Sequence, residues 1–380
     1  MKKKLQWAQI LIFLGFITLF FVLNLVSSDI DFSEQENRYL QQKPKFSFSS
    51  LFSGKYTSAF ETYVTDQFEF RDTWITLKAR CELFMGKKEN NGVNFCRARF
   101  SGEGDMLVSG FKAPDTKTLD SNMAAVNALS SQSGVPVYFA LIPDKAEINA
   151  GRLPSNAPNA SEKDIIDYCY AQSEARTVDM LSPLKNHADE YIFYRTDHHW
   201  TSRGAYYGYT ALAGAMEFPV NDIGHYEVER VSDDFFGTLW SSSGFSWVAP
   251  DSIDIFVGPP DDLSITNYPS GTPVTGSLYD YSFLSKKDKY AFFMGGNTPL
   301  QVIETGADDA PSLLILRDSY ADSLIPFLLD DFSQIHLMDL RYYRAGLSEY
   351  LKNNHIDEIL VIYSVSNFCT DSNIFLMGNS

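Results

Sequence analysis

Short, wholly apolar runs separated by helix-like stretches constrain this chain more than any other feature. The first, Val135-Pro136-Val137-Tyr138-Phe139-Ala140-Leu141-Ile142, ends at Pro143-Asp144-Lys145. Leu313 to Leu316, Ile335 to Met338 and Ile359 to Tyr363 follow far downstream. Runs of this length with no polar alternation need cover on both faces, which an α/β fold with a parallel sheet between layers of helices supplies. Helical spacing falls between them, over Asp115 to Ser131, Ser161 to Ala175, Ser202 to Met216, Tyr320 to Leu329 (interrupted near Pro326) and Ala345 to Asn353. An aromatic, strand-like run, Tyr191 to Tyr194, precedes the third of these helices. Residues Asn221 to Gly306 break the rhythm, being rich in Gly, Ser, Pro, Asp and aromatics. Short β-like pieces within them, such as Ile253 to Val257 and Tyr290 to Met294, read as a β-rich insertion.

The N-terminus adds a second constraint. Three lysines lie in Met1 to Lys4, and Leu5 to Val26 contains no Asp, Glu, Lys or Arg. That is about the twenty residues a helix needs to span a bilayer. The preceding lysines put residues 1–4 in the cytoplasm and the body outside, as a single-pass cell-membrane protein. A cleaved signal peptide ending near Val26-Ser27-Ser28 is the competing reading; the length of the apolar run favours an uncleaved signal-anchor. Residues 27–90 form the next part: a polar, stalk-like stretch to Ser50, then helical spacing in two pieces. These carry Tyr56, Phe60, Tyr63 and Val64, then Phe70, Trp74 and Leu77, with a lapse at Asp66-Gln67. Residues 91–380 make the main domain.

Removing residues 1–28 takes away three lysines and no acids, leaving 28 basic against 48 acidic residues. Such a surface repels nucleic acid and anionic headgroups. Cys81, Cys96, Cys169 and Cys369 are too few for a disulfide-built fold; Cys81 and Cys96 are near enough in sequence to bridge, but sequence does not pair them.

The chemistry concentrates in Thr196-Asp197-His198-His199-Trp200-Thr201, at the junction of the Tyr191 to Tyr194 run and the following helix. In an open α/β sheet, catalytic groups collect at such strand ends. A carboxylate two residues before a histidine orients one ring nitrogen and leaves the other as a base. The nucleophile candidate is distant: Ser319, in Leu316-Arg317-Asp318-Ser319-Tyr320, in a short turn after a buried strand. There the amides opening the next helix face a developing oxyanion. Asn367, after the last strand, is a candidate side-chain donor to the same oxyanion. Each has a bland counterpart. Ser319 suits a helix N-cap, Asn367 a turn, His198 a structural role and Trp200 packing, with sugar stacking the alternative. Arg317, Arg341 and Lys145 lie at strand ends, where they could meet an acidic sugar or an oxyanion or be ordinary ion-pair residues. Asp197, His198 and His199 could also hold a metal; the other histidines show no paired ligand spacing, so no metal is expected.

Asp197-His198-His199-Trp200 resembles the signature of the DHHW protein family. The wider pattern is similar to the periplasmic alginate O-acetyltransferases within the SGNH hydrolase-like superfamily. Ser33-Glu34-Gln35-Glu36-Asn37-Arg38, Asp66-Gln67-Phe68 with Arg71, and Pro143-Asp144-Lys145 occur in the order those proteins show. The resemblance implies a three-layer SGNH-like sandwich in circularly permuted order, with the Asp-x-His element before the nucleophile strand. It places the family's aspartate on Asp197, its histidine on His199, its serine on Ser319 and the superfamily's asparagine on Asn367. Tyr320 and Arg341 join the substrate-side candidates. The chain departs from the superfamily in having Arg317-Asp318-Ser319 where Gly-Asp-Ser is usual, and Phe368 where an aspartate follows the asparagine.

The resemblance further implies an extracytoplasmic O-acetyltransferase for a cell-surface or secreted polysaccharide, with no cofactor. A membrane-bound O-acyltransferase partner would supply the acetyl group. A carbohydrate esterase using the same residues, and a non-catalytic glycan-binding scaffold of a secretion complex, are the rival expectations.

Overall fold

The computed structural model describes residues 2–99, 103–258, 263–307 and 309–379. Their contacts divide them into two units, Met1–Asn90 with Ser241–Ser246, and Asn91–Trp240 with Trp247–Ser380.

The larger unit is built on eight strands. In chain order they are β1 (Val137–Ile142), β2 (Arg176–Val178), β3 (Ser264–Asn267), β4 (Val274–Thr275), β5 (Leu300–Glu304), β6 (Ser312–Arg317), β7 (Gln334–Met338) and β8 (Glu358–Ser364). They lie side by side as β4-β3-β5-β7-β6-β8-β1-β2. The five from β7 to β2 are parallel, whereas β5, β3 and β4 extend the sheet antiparallel from the β7 edge. The expected parallel sheet is therefore mixed, and part of the supposed insertion belongs to it. The physical reason is the short link 305–311, which feeds β6 from the same end of the sheet at which β5 finishes. A parallel neighbour would need a crossover of a dozen or more residues.

Alternation along the strands sorts side chains onto two faces. Tyr138, Ala140 and Ile142 of β1, Leu313 and Ile315 of β6, and Leu360 and Ile362 of β8 join one core with helix Ser202–Met216. Val137, Phe139 and Leu141, then Leu314 and Leu316, then Ile359, Val361 and Tyr363, join the other. There they meet helices Thr116–Gln132, Glu162–Ala171 and Val365–Thr370. The result is three layers. Helix Ser202–Met216 begins where Thr201, in extended conformation, accepts the Gly204 amide. It is glycine at 208 because Trp200 lies across it: a Cβ there would sit 2.7 Å from the indole ring.

Three local expectations fail. Tyr191 to Tyr194 is not a strand; only Phe193 bridges to Trp200, so these residues close a loop back on itself. Their apolar side chains enter two cores, Phe193 with the sheet and Tyr194 with Phe235, Ile253 and Phe292. Tyr290–Phe292 is a 3-10 turn, and the stretch after Ser319 is two short 3-10 turns, Ser319–Ser323 and Ile325–Phe327, parted at Leu324 before Pro326. The rest of the excursion contributes an antiparallel ribbon, Glu227–Phe235 with Asp251–Val257.

In the smaller unit, Lys4–Val26 is a helix long and apolar enough to cross a membrane, a test that a signal sequence also passes. The two spaced pieces are helices Lys55–Asp66 and Arg71–Phe84. Residues after this helix are held by contacts and are not a free stalk. Phe32–Ser33 pairs with Arg38–Tyr39, and the Arg38 guanidinium grips buried Asp66 at 2.6 and 2.9 Å. Arg71 reaches Glu36 at 2.8 Å, and the Gln67 side-chain amide donates to the Ile30 carbonyl. All four cysteines are free thiols, Cys81 exposed and the others buried.

Candidate active site

The loop carrying Asp197 and His199 has no ladder of its own, so its backbone groups are satisfied one at a time. The Tyr194 amide donates to the His199 carbonyl at 3.2 Å, and Thr201 donates to Ile192 at 2.9 Å. The Arg195 and Thr196 carbonyls accept from the Leu107 and Trp240 amides at 2.8 and 3.0 Å. Gly237, whose absent side chain leaves room for Asp197, donates its amide to the Thr196 hydroxyl at 3.1 Å.

Within this frame Asp197 Oδ1 accepts from His199 Nδ1 at 2.6 Å and from the His199 amide at 3.0 Å. Its Oδ2 accepts from the Thr238 amide and hydroxyl at 2.8 and 3.1 Å. Burial works against the charge, but the flanking imidazoles and the His199 hydrogen bonds outweigh it and hold the carboxyl well below the usual aspartate range. An ionised Asp197 fixes the proton on His199 Nδ1, which leaves Nε2 as an acceptor. That nitrogen lies 2.8 Å from Ser319 Oγ. Tyr290 stacks on the imidazole at 3.7 Å with a 4° angle between planes, and its hydroxyl donates to the Ser319 carbonyl at 3.1 Å. It thereby ties the ring and the serine turn to one side chain.

Ser319 is partly exposed, beyond the end of β6. Asp318 organises its turn: Oδ1 caps the Tyr320 amide at 3.0 Å, while Oδ2 accepts the Ser364 amide and hydroxyl, each at 2.9 Å. The helix expected here is replaced by two short 3-10 turns, and the Tyr320 amide is engaged, so the expected row of oxyanion donors is not present in that form. Asn367 does come to this turn, donating Nδ2 to Asp318 Oδ2 at 2.8 Å. Only one of its two amide hydrogens is committed in that bond.

The remaining substrate-side candidates are differently employed. Trp200 is fully buried and donates Nε1 to the Tyr320 carbonyl at 2.9 Å, so it packs and does not stack on sugar. Tyr320 is buried; its hydroxyl donates to the His198 carbonyl at 2.5 Å and to Asp144 at 3.1 Å. Arg317 lies wholly inside the fold, 2.8 Å from Asp322 though poorly aligned for a hydrogen bond. Burial pushes Asp322 up to about 7 against that pull. Arg341 is folded onto Asp339, with its closest approach 2.7 Å. Lys145 is buried, its ammonium on the Tyr194 and Asp197 carbonyls. Each strand-end cation thus has an internal partner. Buried placement was not visible in sequence because a strand-end cation reads alike on either side of the surface.

His198 turns away from the serine, its Nδ1 2.7 Å from the Thr238 hydroxyl. Desolvation and the adjacent His199 ring push it down to about 4, tempered by the 40% exposure of its side chain. Ligating atoms of Asp197, His198 and His199 lie within 4.8 Å of one another, close enough to share a metal. Thr238 and Ser319 also make hydrogen bonds with atoms of these three side chains: Thr238 with His198 Nδ1 and Asp197 Oδ2, and Ser319 with His199 Nε2.

Behind Tyr320 lies a pair of acids, Glu162 buried and Asp144 half-buried. Asp144 accepts from the Ser366 and Tyr320 hydroxyls, and its amide donates to Glu162 Oε2 at 2.7 Å. Glu162 is fully buried, and desolvation followed by repulsion from Asp144 pushes its carboxyl well above 4.5. A carboxyl raised on folding contributes stability that is complete below its unfolded value and lost as pH rises through its folded one. Glu162→Gln should therefore flatten the decline in denaturant midpoint expected of the unmodified protein between about pH 5 and pH 8. Parallel urea titrations at the two pH values check it.

A three-layer α/β domain presenting a carboxylate-imidazole-hydroxyl chain beyond its strand ends defines a hydrolase- or transferase-like class of site. The chain belongs to the DHHW protein family, whose pattern matches residues 115–338. Among solved structures it is similar to a DHHW family protein from Eubacterium siraeum (TM-score 0.66, 25% identity, covering 76% of this chain and 95% of that one). It also shares the fold of Bacillus cereus PatB1 (TM-score 0.60, 20% identity, 74% and 99%). Among curated proteins it is 26% identical over 176 residues to a probable alginate O-acetylase, AlgJ, of Pseudomonas putida. That match covers 44% of this chain and 45% of AlgJ, less than half the relative's length.

Proposed function

We propose that this protein is a membrane-anchored, extracytoplasmic O-acetyltransferase that modifies a cell-surface or secreted polysaccharide through a serine acyl-enzyme. The observation that carries the reading is the placement of His199 between Asp197, at 2.6 Å, and Ser319, at 2.8 Å. The relative named as an alginate O-acetylase favours acetyl transfer to a sugar.

In this mechanism Ser319 Oγ attacks the acetyl carbonyl as its proton passes to His199 Nε2. The departing group leaves with that proton, and acetyl remains on Oγ. A sugar hydroxyl then gives its proton to Nε2 and attacks the acyl carbonyl, so that acetyl moves to the sugar and the proton returns to Ser319. Asp197 keeps the imidazole in one tautomer and balances its charge during both halves. The uncommitted amide hydrogen of Asn367 is the side-chain donor nearest in role to an oxyanion partner. The acetyl group is supplied by a membrane-bound O-acyltransferase, and the apolar helix Lys4–Val26 keeps the domain beside it, with residues 1–4 on the cytoplasmic side.

Incubating the detergent-solubilised full chain with an activated acetyl ester tests this. Intact-mass and peptide analysis should find one acetyl group on Ser319, discharged faster when an oligosaccharide is added and recovered on that sugar. Discharge to water at a rate indifferent to the sugar identifies an esterase instead. No Ser319-dependent adduct or turnover removes the enzymatic reading.

A further inference from the structure

Tyr194 to Asp197 must be held without a sheet, and the means is an arrangement of two buried charges. On one side lies Lys145, 3% exposed, donating to the Tyr194 carbonyl at 2.8 Å and to the Asp197 carbonyl. On the other lies Asp251, 0% exposed. Its Oδ1 accepts from the Arg195 amide at 2.8 Å and the Tyr191 hydroxyl at 2.5 Å, with Arg195 Nε at 3.3 Å. Its Oδ2 accepts from the Thr196 amide at 2.7 Å and the Thr196 hydroxyl at 2.5 Å. The cation takes the carbonyls of residues 194 and 197, and the anion takes the amides of residues 195 and 196.

We infer that Lys145 and Asp251 are a pair of positioning residues, clamping the loop from opposite sides so that Asp197 and His199 stand in line with Ser319. Their effect on turnover rests on the acetyl-transfer reading above; their effect on the His199–Asp197 hydrogen bond does not. Lys145 is compensated by backbone carbonyls, and Asp251 by backbone amides, two hydroxyls and the Arg195 guanidinium, so losing either charge leaves orphaned groups inside the fold. The loop has no alternative register to relax into, since the carbonyls of residues 195 and 196 are held by backbone amides from residues 107 and 240. Removing one side of the clamp therefore moves the aspartate and the imidazole together. A misplacement of about 1 Å at such a site lowers turnover about 100-fold.

The experiment uses the full chain in detergent and the variants Lys145→Met, Asp251→Asn and Thr196→Val. The last is near-isosteric and deletes the Thr196 hydroxyl, with its bonds to Asp251 and the Gly237 amide, while leaving both charges in place, so it remains informative should the other two not fold. Two readouts are taken. Steady-state acetyl transfer from an activated ester should show kcat lowered about 100-fold in the first two variants and less in the third, with KM within twofold. In the double variant Lys145→Met/Asp251→Asn the losses should not multiply, because both act on one loop. Independently of substrate, the low-field proton resonance expected of His199 Nδ1–H in the unmodified protein, from its 2.6 Å bond to Asp197, should shift or broaden in every folded variant. Folded variants that keep both that resonance and kcat unchanged overturn the inference. A change confined to KM also overturns it. If the unmodified protein shows no Ser319-dependent turnover, the acetyl-transfer reading fails on its own, and the imidazole resonance alone decides whether the clamp exists.

Discussion

Asp197→Asn is expected to lower kcat for acetyl transfer by about 10⁴-fold while Ser319 and His199 both remain in place. The carboxylate of Asp197 accepts from His199 Nδ1 at one oxygen and from Thr238 at the other. An amide in its place no longer dictates which imidazole nitrogen carries the proton, and the Nε2 facing Ser319 ceases to be a dependable base. The change should be larger in kcat than in KM, because the interaction matters most as positive charge forms on the ring. Stability gives an independent sign. A carboxyl lowered on folding stabilises above its unfolded value and loses that contribution as pH falls through its folded one. The unmodified protein should thus outlast the variant in urea at pH 7, and their midpoints should converge on acidification below about 4. A kcat loss under tenfold would remove Asp197 from the relay.

Gly237→Ala should disable the same relay from outside it. An added Cβ at residue 237 would sit 2.2 Å from Asp197 Cβ, 2.3 Å from Oδ2 and 2.6 Å from Cα. Since Asp197 is pinned through its carbonyl, its carboxylate and its neighbours, the collision cannot be relieved by rotating one side chain. Overpacking of this kind costs about 1–3 kcal/mol, and the displaced carboxylate should reduce kcat about 100-fold. Gly214→Ala is the matched control. It lies in helix Ser202–Met216 with nothing within 4 Å of its added carbon. It should keep full activity and gain up to about 1 kcal/mol of stability. Thermal melts and ester kinetics on the two variants check the contrast; equal behaviour would show that Gly237 is not needed for clearance.

The parts of the fold legible in sequence are those where one physical demand dominates. β1, β6, β7 and β8 are buried on both faces, so their apolar runs stand out and their bounds fall near the expected ones. Helix Ser202–Met216 was equally plain because Thr201 caps it and its apolar spacing is regular. Asp197, His199 and Ser319, the last 120 residues beyond the histidine, meet by hydrogen bonding, which their placement at strand ends and the family resemblance led one to expect. The Tyr191 to Tyr194 run deceived because aromatic residues shared between two cores look like a strand. Lys145 and Arg317 deceived because burial of a cation depends on partners, Tyr194 and Asp322, that no local pattern reveals. Tyr290 and Asp251 went unnoticed altogether. One stacks on the imidazole and the other holds the loop, yet each lies more than fifty residues from the motif it serves, within a region whose composition reads as irregular.

The Asp144–Ser366 contact closes a span of 222 residues, and the Tyr320 hydroxyl reaches Asp144 and His198 across 176 and 122 residues. The hydrogen bonds that join residues 144, 198, 320 and 366 are thus complete only once the last strand has docked. Long-range closure of this sort is slow compared with local helix formation. A chain cut before its last strand therefore lacks the partners that Asp144 finds in Ser366 and Asp318 finds in Ser364.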